Sequence, residues 1–113
     1  MKAALLLAAF LFLIFGCAQQ EEGAAATGAV SNLCISACQE AMLRNADLSD
    51  GPCLLNPIPD YPGWVCDVAH SPRQSVDNLE KNQCGSFRDG KASKFVEVSA
   101  DCEVIRLEQQ FGK

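Results

Sequence analysis

The chain holds one histidine, one tryptophan and one tyrosine in 113 residues, and nine lysines and arginines against fourteen acids. Each scarcity excludes something. With a single histidine and no Cys-x-x-Cys pair, the usual zinc-ligand spacings are missing. A formal charge of −5 argues against nucleic acid as a partner, because phosphate neutralisation needs clustered Lys and Arg. The same balance argues against a polybasic grip on anionic lipid. No serine sits in a Gly-x-Ser-x-Gly turn, and no Walker or dinucleotide glycine pattern occurs. No apolar run reaches the roughly 20 residues of a bilayer-spanning helix. The residues therefore imply no cofactor and no metal, and no catalytic residue is assigned.

What is present begins at the N-terminus. Met1 and Lys2 precede thirteen unbroken apolar residues, Ala3–Phe15, the length of a signal-peptide apolar segment. The stretch Ile14-Phe15-Gly16-Cys17 that follows resembles the lipobox of bacterial and archaeal lipoproteins. Ile14 and Gly16 fit that pattern, whereas Phe15 stands where a small or β-branched residue is usual. The resemblance implies diacylglyceryl and fatty-acyl (palmitate-type) modification of Cys17, with cleavage before it. It covers the first 17 residues only. Two or more acyl chains meet the requirement for stable anchoring. Lipidation would also remove a thiol that is a liability outside the cell. The expectation is an extracytoplasmic protein held at the cell membrane through Cys17, with residues 1–16 a signal peptide; the alternative is an uncleaved anchor stretched to about Ala18, which needs a thinned bilayer.

Removing residues 1–16 leaves 97 residues, a formal charge of −6 and six further cysteines: Cys34, Cys38, Cys53, Cys66, Cys84 and Cys102. A domain of this size buries only about 60–65% of its unfolded surface. Six cysteines in an exported chain read as three stabilising disulfides. Residues 17–30, "CAQQEEGAAATGAV", hold no aromatic residue and read as a flexible tether. The domain is expected over 31–113. Ser31 is a candidate N-cap for a helix running to Asn45 or Ala46, with Leu33, Cys34, Ala37, Cys38, Ala41 and Met42 on one apolar stripe. Ser49–Pro52, "SDGP", breaks it. Trp64–His70 alternates as a short strand, and 71–87 is mostly polar loop with a helical turn near Val76–Lys81. "KFVEV" and "EVIRL" flank "SADC" as an antiparallel hairpin. The fold class is α+β: one N-terminal helix on a short, mainly antiparallel sheet with a C-terminal hairpin. A Cys-x-x-x-Cys helix crosslinked to strands is similar to the cystine-stabilised αβ scaffold of defensins and scorpion toxins, a likeness confined to that helix and carrying no activity over. Fifteen pairings are open to six cysteines. The favoured one sets Cys34 and Cys38 against Cys66 and Cys102, leaving Cys53 with Cys84.

Three functions are consistent with these residues. A binding or structural module, with a protein partner at the cell envelope, would use the proline-stiffened loop between Cys53 and Cys66, where Leu55, Ile58, Tyr61 and Trp64 supply apolar and aromatic side chains; the loop reads equally as a cap on the core made by Leu54, Leu55 and Trp64, since a single tryptophan is normally buried. A protease inhibitor would present the same loop. A small hydrolase or metal-dependent enzyme would centre on His70 with Asp67 or Asp77. Odd spacing puts Asp67 and His70 on opposite faces of an ideal strand, and a local His70–Asp77 hydrogen bond would order the loop between them. A Cys66–His70 nucleophile pair would lie about 13 Å apart along a strand and compete with disulfide formation.

Overall fold

A computed structural model of the protein describes residues 22–109. The lipobox, Cys17 and the start of the expected tether lie outside the described residues. Helix α1 spans Glu22–Leu43, strand β1 Cys53–Leu55, strand β2 Trp64–Val68, the one-turn helix α2 Gly85–Arg88, strand β3 Lys94–Val98 and strand β4 Val104–Gln109. The strands form one sheet in the order β1-β2-β3-β4. Among the described residues no helix is long and apolar enough to cross a membrane.

α1 starts nine residues upstream of Ser31, so residues 22–30 are helix and not tether. The reason is propensity and burial together. The three alanines 24–26 are the strongest helix formers, and Val30 is fully buried in the core. The inward stripe is Val30, Cys34, Cys38 and Ala41, at helical spacing. Leu33 and Met42, assigned to the stripe from sequence, flank it and are exposed. The C-terminus closes as a Schellman motif. Asn45 adopts φ +58°, the Ala46 N–H donates to Ala41 O at 3.0 Å and the Asn45 N–H donates to Met42 O at 3.0 Å.

β1 and β2 are antiparallel, β2 and β3 parallel, and β3 and β4 an antiparallel hairpin. A parallel central pair needs a long crossover, and residues 69–93 supply it as two 3-10 turns, Ser75–Asn78 and Glu80–Asn82, followed by α2. One sheet face (Trp64, Cys66, Val68, Val96 and Val98) packs on α1 to make the main core. Three disulfides stitch the layers: Cys34–Cys66, Cys38–Cys102 and Cys53–Cys84. Cys102 sits in the β3–β4 turn, not on a strand.

The loop between β1 and β2 folds inward. Tyr61 N–H donates to Ile58 O and Trp64 N–H to Tyr61 O, each at 2.9 Å, so the prolines enforce two tight turns. Ile58 is fully buried and Trp64 is 3% exposed, while Leu55 and Tyr61 are half-buried against the same core. The loop therefore closes the core. Ile58 and Trp64 thus follow the core-cap reading of this loop, and Leu55 and Tyr61 keep part of their surface exposed.

Candidate functional site

The sheet face turned away from α1 carries the polar chemistry. Pairing across β2, β3 and β4 sets Asp67, Glu97 and Arg106 in one row and Val65, Phe95 and Glu108 in the next. The crossover walls one side of these rows with Arg73, Gln83, Cys84, Phe87 and Arg88, bounding a half-open cavity of about 500 Å³. Phe87 meets Phe95 edge-to-face, with ring centroids 5.2 Å apart. The cavity is thus half aromatic wall and half charged floor.

Its two floor acids, Glu97 buried and Asp67 half-buried, are treated unequally. Glu97 is 6% exposed and accepts from Arg73 Nη1 at 3.0 Å. Arg73 is itself fixed by donation to Asn78 Oδ1 at 2.8 Å and Asp77 O at 3.3 Å. Asp67, directly across the parallel pair, has a buried Oδ1 with no hydrogen-bond partner. Burial first, and then the neighbouring Glu97 charge, pushes its carboxyl up to about 8, with Arg73 opposing only in part. At the rim, Arg88 pairs with Glu80 and Asp89. The side chains of Arg106 and Glu108 make no hydrogen bond or ion pair among the described residues.

Of the polar trio expected from sequence, the structure joins two. His70 Nδ1 and Asp77 Oδ1 lie 2.9 Å apart. Asp77 also accepts from the His70 and Gln74 backbone N–H groups through Oδ2, at 3.1 and 2.9 Å. Burial raises the Asp77 carboxyl, but the three hydrogen bonds and the His70 ring outweigh it and leave it below the usual carboxylate range. Behind it Gly51, at φ +68°, leaves no room for a side chain: a Cβ there would collide with Asp77 Oδ1 and come within 3.0 Å of Val68 O. This is a loop fastener. The recess beside His70 is about 90 Å³, room for a few waters, and Asp77 does not line it. Asp67 shares no hydrogen bond with His70; it faces the larger cavity instead. Cys66 is disulfide-bonded, which removes it as a nucleophile. Among the described residues no three His, Cys, Asp or Glu side chains converge as a metal site.

Sequence reasoning missed Glu97, Arg73 and Arg106. Glu97 and Asp67 each occupy the outward position of a strand, which reads as a solvated face until the crossover is known to cover it. No protein-family model, curated protein or solved structure matches this chain.

Proposed function

We propose that this chain is an exported binding module, tethered to the outer face of a membrane through lipidated Cys17, that holds a small amine- or ammonium-bearing ligand in the cavity beside Asp67. The observation that carries the ligand site is the buried, unpartnered Asp67 Oδ1 beside an acid that already has its arginine. A buried polar atom without a partner costs about 1–3 kcal/mol, a cost that a cationic donor would relieve. The Phe87 and Phe95 rings line the same cavity, and an aromatic face attracts a cation through its quadrupole. Arg73 and Arg88 are paired with acids of this chain, and Arg106, the remaining arginine of the lining, makes no bond to Asp67. Three disulfides fit an oxidising compartment, and the lipobox-like segment supports the tether.

Calorimetric titration of the full chain with a panel of small primary and quaternary amines, set against isosteric neutral alcohols, tests the site. Binding should be confined to the cations, strengthen from pH 6 to 8 as Asp67 ionises, and be lost in Asp67→Asn. Equal binding of the alcohols, or an unaltered Asp67→Asn, would overturn it. Mass spectrometry of the membrane-extracted protein tests the tether separately. A chain beginning at an acylated Cys17 supports it, and an unmodified Cys17 removes it.

A further inference from the structure

The sheet leaves two edges, β1 and β4. β1 is three residues long and its cysteine is bonded to Cys84 under the crossover. β4 is six residues long and paired on one side only. The phase of its backbone follows from one bond. Ala69 N–H donates to Val98 O at 2.9 Å, so the Val98 backbone faces β2. Alternation then turns the backbone groups of Glu97 and Phe95 toward β4, where they meet Arg106 and Glu108. The N–H and C=O of Leu107, between those two, therefore point out of the free edge, as a template for another strand.

We propose that β4 is the seam of a symmetric dimer, pairing antiparallel with β4 of a second copy about a two-fold axis at Leu107. Charge selects this register. Centred on Leu107, the pairing sets Arg106 opposite the second copy's Glu108, twice, using the two cavity-rim charges that have no partner among the described residues. Centred on Arg106 or on Glu108, it would oppose like charges, which is destabilising. The Leu107 pair also closes an apolar gap: Leu107 lies in register with Val96 on the α1 side of the sheet and is 36% exposed. The two copies exchange both backbone bonds at Leu107, the self-complementary contact a two-fold axis requires. The result is one sheet continuous through both molecules, in which each copy contributes a charged pair to the rim of the other's cavity.

Sedimentation equilibrium of the full chain in density-matched detergent, over a concentration series, tests the seam. The wild type should form a reversible dimer. Glu108→Arg should weaken it on the order of tenfold or more, because two arginines then face two arginines. Arg106→Glu should do the same with acids. An equimolar mixture of the two variants restores opposite charges at both positions and should dimerise as a hetero-pair, a result that misfolding cannot produce. Should Arg106→Glu fail to fold beside Asp67 and Glu97, Leu107→Pro takes its place, since it removes only the outward N–H of an edge strand and should leave a folded monomer. A wild type monomeric at every concentration, or Glu108→Arg associating like wild type, overturns the proposal.

Discussion

Asp67 and Asp77 are aspartates ten positions apart whose protons respond to folding in opposite directions. The Asp67 value rises from 3.8 to about 8 on folding, chiefly through burial. The folded chain therefore holds a proton that the unfolded chain has released. The associated stability is complete below about pH 4 and is lost progressively as pH climbs through about 8. Asp77 has the reverse sign: three hydrogen bonds hold its carboxyl low, so its contribution is present at neutral pH and lost in acid. Urea denaturation of Asp67→Asn should accordingly show a variant more stable than wild type at pH 8, by about 1–3 kcal/mol. The advantage should shrink toward pH 4. Parallel stability profiles for the two proteins would mean that Asp67 is ionised in the fold.

At the scale of elements, α1 and the hairpin of β3 and β4 were legible because their periodicities are strong and their ends carry signals. Asn45 accepts the left-handed turn that stops α1, and Val96 and Val98 share the buried face of β3. The upstream boundary of α1 was not legible. An alanine-rich segment has the composition of a linker and the propensity of a helix, and only the packing of Val30 decides between them. Val30→Ala should cost about 1–3 kcal/mol in chemical denaturation, whereas Ala25→Ser on the exposed side should change stability by less than about 0.5 kcal/mol. Equal effects would detach those turns from the core. The loop between β1 and β2 read equally as a binding surface or as a core cap, and the choice was not legible for a related reason. A proline-rich segment has no period, so nothing in it says whether Ile58 and Trp64 turn toward the core or away.

At the scale of the whole molecule, the candidate site arises from pairing between distant segments. Asp67 and Glu97 become neighbours only because β2 and β3 run parallel in one particular register, and Arg73 reaches them from a crossover whose path no local signal gives. Cysteine spacing was more informative, since two thiols one helical turn apart on α1 can each reach a different strand or turn. The same architecture has a mechanical outcome. The exposed segment 71–75 at the start of the crossover is a ready substrate for a protease. A cut there leaves Cys84 and Cys102 on one fragment and the other four described cysteines on its mate. Two of the three bridges span that break, Cys38–Cys102 and Cys53–Cys84. Nicked protein should migrate as a single species on a non-reducing gel and separate into two bands once thiol is added. Clipping there would then open the crossover wall of the cavity without shedding either half.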